Sequence, residues 1–381
     1  MAYQIDTKCV HGSEKRTPHS YGALSVPIYQ TATFSHPGIG QSGGYDYSRE
    51  SNPTRSELES TLTALEEGAC DTVACSTGMA AIALCLELFE AGDEILCSDD
   101  LYGGSVRIFD QAEKNRGIHT IYTDTSDPEQ TEKQITDRTK ALYIETPSNP
   151  TMKVTDLACM KELADRYDLL LIVDNTFLTP YFQNPFQYGA DLVIHSGTKF
   201  LGGHNDTLAG FLCCKDPALA GRIRSIYKTV GSSLSPFDSF LLIRGIKTLG
   251  VRLERQQENA LAIAKMLCAH PKVRRVYYVG LSDHPGYEVN RRQARGFGSM
   301  ISFCTDTPET AKNVLKRVKL ISYAESLGGV ETLITYPMLQ THGDVPVEIR
   351  EKLGITENFL RLSVGIEDVA DLIKDLEQAL V

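Results

Sequence analysis

Apolar positions along the chain keep two rhythms. From residue 54 onward, short continuous apolar runs alternate with stretches in which apolar residues recur every three or four positions. That alternation reads as a mostly parallel sheet covered by helices. Strands are expected at residues 72–75, 94–97, 118–122, 141–144, 169–173, 192–194 and 208–213, with helical segments between most of them. Asn52-Pro53 sets a capping residue before a proline suited to a first helical turn, Leu58, Leu62 and Leu65 then share a face, and Gly68 ends the run. Residues 236 to about 270 read as mostly helical, with Gly245 and Gly250 as points of weakness or bending. Beyond them the pattern changes to strands at 273–279, 300–303, 320–323, 333–335 and 360–364 and helices at 308–318 and 367–380. The expected organisation is an N-terminal arm over 1–50, a large α/β domain over 51–240 and a smaller α+β domain over 241–381.

Composition narrows the function classes. At 381 residues the chain exceeds what one hydrophobic core usually serves. Its 38 basic against 49 acidic residues give a net charge of −11, which repels a phosphate backbone and argues against nucleic acid as a partner. Residues 1–16 lack the apolar stretch of a signal peptide and no apolar run approaches a membrane span, so a cytoplasmic protein without membrane contact is expected. The 10 cysteines show no Cys-x-x-Cys spacing and no accompanying His pair; buried reduced thiols are expected, with no metal site and no disulfide. Gly38-Ile-Gly-Gln-Ser-Gly43 matches a dinucleotide fingerprint but lacks the strand before it and the helix after it, so it reads as a loop.

Three features carry chemistry. Ser76-Thr77-Gly78-Met79 follows an apolar strand and opens a helix, collecting unpaired N–H groups at a positive helix end suited to a phosphate. The strand Leu169-Leu-Leu-Ile-Val ends on Asp174, a carboxylate that needs a loop to anchor or a cation to face. One strand later, Lys199 follows Ser196-Gly-Thr198, where desolvation favours the free, nucleophilic amine. A phosphate turn, a strand-end acid and a strand-end lysine at the same edge of one sheet are what pyridoxal 5'-phosphate (PLP) requires.

These motifs, with Asp100-Leu-Tyr102-Gly-Gly, Glu145-Thr-Pro-Ser-Asn149-Pro, Tyr45-Asp-Tyr47-Ser-Arg49, Glu325-Ser326-Leu-Gly-Gly and Arg361-Leu-Ser-Val-Gly, resemble the Cys/Met-metabolism family of PLP enzymes nearly end to end. The resemblance implies a type I PLP-dependent transferase fold, aspartate aminotransferase-like, with a mostly parallel seven-stranded sheet, in a homotetramer built of two intimate dimers. It implies that Lys199 forms the covalent link to the cofactor aldehyde and acts as base, that Asp174 keeps the pyridine nitrogen protonated, and that Tyr102 stacks on the ring and assists proton transfer. It places Gly78, Met79, Ser196 and Thr198 on the phosphate, joined by Tyr47 and Arg49 from the neighbouring subunit, and counts Thr176 among the cofactor-binding residues. Arg361 and Asn149 correspond to the grip on the substrate α-carboxylate, with Glu325 and Ser326 also on the substrate side.

Within the family, few positions speak to the reaction. Methionine γ-lyases typically carry cysteine where this chain has Gly104, and enterobacterial-type cystathionine β-lyases are aromatic at the position of Glu325, where a carboxylate suits the distal amino group of a cystathionine-sized substrate. Asp46 stands where γ-lyases often carry Glu. The first expectation is therefore cystathionine γ-synthase-like γ-replacement on an O-acylhomoserine with cysteine; a cystathionine β- or γ-lyase or an O-acetylhomoserine sulfhydrylase is the alternative. Gly197, where Ala, Ser or Cys is more usual, is expected to matter little.

Overall fold

Ile5–His11 coils into a short helix, α1, in the computed structural model, which describes residues 3–13, 19–341, 343 and 347–381. The arm is thus less extended at its start than its glycines and prolines imply: α1 buries Cys9 and packs on α2 (Pro53–Leu65) of its own chain. Asn52 opens α2 as the cap, accepting from the Thr54 N–H at 3.0 Å with Pro53 in the first turn. Its amide nitrogen donates to Tyr29 O at 2.9 Å and to Ser48 Oγ at 3.0 Å, so the residue that starts the helix also ties down the arm.

The large sheet comprises β1 (Asp71–Cys75), β2 (Glu94–Ser98), β3 (His119–Thr123), β4 (Thr139–Glu145), β5 (Leu170–Asp174), β6 (Leu192–Ser196) and β7 (Gly210–Cys214). Their spatial order is β1-β7-β6-β5-β4-β2-β3, and β7 alone runs against its neighbours. The apolar runs are continuous because both faces are covered: Leu171 and Val173 belong to one apolar layer and Ile172 to another. The connection after β1 forms the helix α3 (Gly78–Leu86), and that after β2 forms α4 (Gly103–Arg116). Leu208, expected in the last strand, precedes β7 and is exposed.

A second sheet holds β8 (Val273–Tyr277), β9 (Met300–Thr305), β10 (Ser322–Tyr323), β11 (Leu333–Thr335) and β12 (Phe359–Ser363) in the order β10-β11-β12-β9-β8. Phe303, Leu360 and Leu362 pack there with Val314 of the helix Pro308–Arg317 and Leu376 of the helix Val369–Ala379. Between the sheets the expected single helical run is two helices, Pro236–Ile246 and Leu249–Ala269, broken at Lys247-Thr248. The cause is tertiary. Buried Arg252 donates to Gly245 O at 3.0 Å and to Phe200 O at 2.8 Å, and a Cβ on Gly245 would lie 2.2 Å from Gly202 O. Gly245 therefore serves close approach rather than flexibility.

Residues 38–43 lie in loop and turn. All ten cysteines are free, but Cys70 and Cys268 are exposed, against the expectation of burial, because they stand outside the strands and at the polar side of a helix. Among the described residues no helix is long and apolar enough to cross a membrane.

Candidate active site

The carboxyl ends of β4, β5 and β6 lie side by side, so Glu145, Asp174 and Ser196 meet at one edge of the large sheet. Asp174 Oδ1 accepts from the Thr176 N–H at 3.1 Å and the Thr176 hydroxyl at 2.6 Å, while the Ser196 N–H donates to the same Thr176 oxygen at 2.8 Å. Thr176 thereby locks two strand ends together. The start of α3 fits against them. Thr77 caps it by accepting from the Ala80 N–H at 2.9 Å, and a Cβ on Gly78 would sit 2.9 Å from Ser196 Cβ, so only glycine lets the helix end approach this closely. The first N–H groups of α3 have no intrahelical acceptor, and the positive helix end suits an anion. Thr198 belongs to the same corner, its Oγ1 accepting from the Ala209 N–H at 3.0 Å.

Lys199 lies within the β6–β7 connection. Its Nζ donates to Ser326 Oγ at 2.7 Å, and burial together with the Arg361 charge lowers its pKa to about 8. Ser326 is in the left-handed region at φ 85°, a conformation uncommon for a residue with a side chain. Arg361, on β12, is almost fully buried; it donates from Nη1 to Asn149 Oδ1 at 2.9 Å and from Nη2 to Ser326 O at 3.0 Å and Thr335 Oγ1 at 3.2 Å. Its Nε has no partner, and no carboxylate among the described residues pairs with it. Burial alone lowers even this guanidinium, to about 10. A buried cation left without an anion marks a place where an anion is to be received.

These groups enclose a cavity of about 320 Å³ lined by Gly78, Met79, Tyr102, Asn149, Asp174, Thr176, Ser196, Thr198, Lys199, Glu325, Ser326 and Arg361. Every residue expected in the site is there except Tyr47 and Arg49. Those two remain outside this chain's own cavity: Arg49 donates to Lys228 O and lies over the Tyr47 ring at 5.4 Å. Glu325 and Ser326 also line a wider opening of about 1030 Å³ that continues the cavity to the surface.

Two findings were not read from the sequence. Glu145 lines the cavity, although its motif pointed only to Asn149; its register opposite Asp174 was the signal, visible once strand pairing is known. Gly197, expected to matter little, is hemmed in: a Cβ there would lie 2.5 Å from Phe211 Cε2 and 2.9 Å from Ala209 Cβ. The space that a side chain would need at this position is filled by the Phe211 ring.

The donor set fits PLP at each of its three functional ends. A helix start with Ser196 and Thr198 can take a phosphate, Lys199 is poised as an amine for an aldehyde, and the buried Asp174 carboxylate, which has no cation of its own, can take a pyridinium. A bound cation would relieve the burial that pushes the Asp174 carboxyl up.

Comparison with known proteins agrees. The chain is 48% identical to cystathionine gamma-lyase of Bacillus subtilis (strain 168), with 94% of each chain covered. It is 44% identical to cystathionine beta-lyase of Lactococcus lactis subsp. cremoris (strain MG1363), covering 99% of this chain and 98% of that one. The crystal structure of cystathionine gamma synthase from Xanthomonas oryzae pv. oryzae, in complex with aminoacrylate and cysteine, superposes with a TM-score of 0.95 at 39% identity, covering 100% of this chain and 98% of the other. Residues 6–381 match the family described as Cys/Met metabolism PLP-dependent enzyme, and the chain belongs to that PLP-dependent family of cystathionine synthases and lyases.

Proposed function

We propose that the protein acts on the C–S bond at Cγ of cystathionine, in the direction of cleavage to cysteine, 2-oxobutanoate and ammonia. The observation that carries amino-acid chemistry in this cavity is Arg361, a buried guanidinium whose Nε lacks a partner, facing the same space as the Lys199 amine. A substrate α-carboxylate satisfies Arg361 through a two-point grip and delivers its Cα toward Lys199 Nζ. Bound PLP supplies the electron sink for the charge that develops at Cα.

The chain's own groups do the rest. Gly78, Met79, Ser196 and Thr198 hold the phosphate, and Asp174 holds the proton on the pyridine nitrogen. Lys199 Nζ, released from Ser326 Oγ, takes the proton from Cα, hands it on within the site and, neutral again, takes one from Cβ; its pKa of about 8 leaves roughly a tenth of the amine able to accept at pH 7. Tyr102 offers its ring as a stacking face and its hydroxyl for proton transfer at the departing sulfur. Glu325, at the junction of cavity and opening, receives the distal ammonium of cystathionine. The 48% identity to a cystathionine gamma-lyase supports the direction of cleavage.

A second reading, γ-replacement joining an O-acylhomoserine to cysteine, is favoured by Asp46 in the arm motif and by the fit to a cystathionine gamma synthase. Product analysis separates them. Purified protein given cystathionine is expected to release cysteine and 2-oxobutanoate; homocysteine and pyruvate would indicate β-cleavage instead. Efficient cystathionine formation from O-acetyl- or O-succinylhomoserine plus cysteine, with negligible keto-acid release from cystathionine, would replace the leading reading by the second. We further propose a cytoplasmic homotetramer in which Tyr47 and Arg49 complete the phosphate site of a neighbouring subunit.

A further inference from the structure

Glu145 and Asp174 occupy the same register at the ends of adjacent parallel strands, and both line the cavity. Partners in such register lie about 5 Å apart, too close in a buried site for two carboxylates to ionise together without a cation. Neither makes an ion pair among the described residues; their hydrogen bonds come from Tyr102 and Thr176. Those bonds are unequal. Asp174 accepts two donors from Thr176 on one oxygen, which favours its anion, whereas Glu145 Oε2 accepts only the Tyr102 N–H, at 3.0 Å. Tyr102 is the residue that starts α4 and has no side-chain cap there, so Glu145 fixes the backbone from which the Tyr102 ring projects.

We propose that Glu145 is a positioning residue held as the neutral acid: it keeps its proton so that Asp174 alone is ionised, and it pins Tyr102 at the mouth of α4. The charged groups that face Glu145 agree. Burial disfavours its charge most, followed by Asp174 from β5 and Asp100 beyond β2; the Tyr102 N–H bond and the Arg361 charge from β12 oppose them, and the balance holds Glu145 well above the usual carboxylate range. Asp100 accepts from Ser148 and Thr151 through Oδ2, its Oδ1 has no partner, and no hydrogen bond joins it to Glu145. The division of labour is that of two neighbouring carboxyls whose surroundings push them apart, one acid and one anion.

The inference rests on the PLP reading for its functional consequence but not for the position of the proton, which is measured with and without the cofactor. Difference infrared spectroscopy is expected to show the carbonyl band of a protonated carboxylic acid at neutral pH in wild-type protein, in both states, and to lose it in Glu145→Gln. A spectrum without that band, or a band that survives in Glu145→Gln, overturns the proposal. Glu145→Gln keeps a neutral acceptor for the Tyr102 N–H, so its PLP affinity and visible circular dichroism should stay within about threefold of wild type, while Glu145→Leu should weaken PLP binding about tenfold and reduce the dichroism. A Gln variant as impaired as the Leu variant would mean that the ionised carboxylate is required, and would overturn the neutral-acid assignment. Should Glu145→Leu fail to fold, the Gln variant and the infrared band decide alone. Failure of wild-type protein to bind PLP would sink the cofactor reading and leave the infrared result standing.

Discussion

Lys199 and Gly197, two residues apart, show how much one side chain's surroundings decide. At a pKa of about 8, roughly a tenth of the Lys199 amine is unprotonated at pH 7, several hundred times more than for an ordinary lysine. The sign is fixed by the cause: burial and Arg361 disfavour the charged form, so the amine is free above about pH 8 and protonated below it. Arylation of the apoprotein by trinitrobenzenesulfonate, mapped by mass spectrometry, should therefore reach half its limiting rate at Lys199 near pH 8 and fall about tenfold per unit below. Labelling that follows the pH profile of the surface lysines would remove the basis for a nucleophilic Lys199. Gly197 acts by exclusion. With Phe211 Cε2 only 2.5 Å from where a methyl group would stand and the ring fully buried, Gly197→Ala should cost about 1–3 kcal/mol in urea unfolding. In a double-mutant cycle, Gly197→Ala should cost much less in a Phe211→Val background than in the wild type; an unchanged melting curve for Gly197→Ala would show that the ring yields freely.

Elements explain both what the chain declares and what it conceals. Asn52 does two jobs that substitution separates. Asn52→Asp keeps the acceptor that caps α2 but loses the donor to Tyr29 O, whereas Asn52→Ala loses both. The Ala variant should lose about 1–2 kcal/mol of stability and the Asp variant less, while both expose the arm between residues 19 and 48 to proteolysis. Equal protease resistance in all three proteins would deny the tether. The strands of the large sheet were legible because each is buried on both faces and so is continuously apolar, and Asp174 and Lys199 were legible because a charge directly after such a run is conspicuous. Leu208 misled for the same reason: it is apolar and adjacent to β7, but it faces the cavity and its opening. Helix α1 was invisible since one buried residue, Cys9, sets no period. The break at Lys247-Thr248 leaves no mark in the local sequence because it answers to hydrogen bonds from Arg252 across the fold, and neither does the place of Glu145, whose meaning lies in which strand stands beside it.

At the scale of the whole molecule the site is a joint between two sheets. Lys199 and Asp174 come from the large sheet, Arg361 from the small one, and Ser326 bridges them by accepting from Lys199 through its hydroxyl and from Arg361 through its carbonyl. Such a joint fixes the α-carboxylate grip against the base. Among the described residues, Lys199 and Arg361 are the only Lys or Arg that line the cavity, and the chain's own Tyr47 and Arg49 lie outside it. If they serve a neighbour, two inactive variants should complement each other. In a mixed dimer of Lys199→Ala and Arg49→Ala protomers, the protomer that retains Lys199 receives an intact arm from its partner, so one site of the two is complete. Random re-association makes half of the dimers mixed, which predicts recovery of about a quarter of wild-type activity from parents that each have little. If Arg49 worked in its own subunit, no site in the mixed dimer would be complete. Activity that stays at the level of the parents after verified subunit exchange would therefore return Arg49 to a purely structural place in the arm.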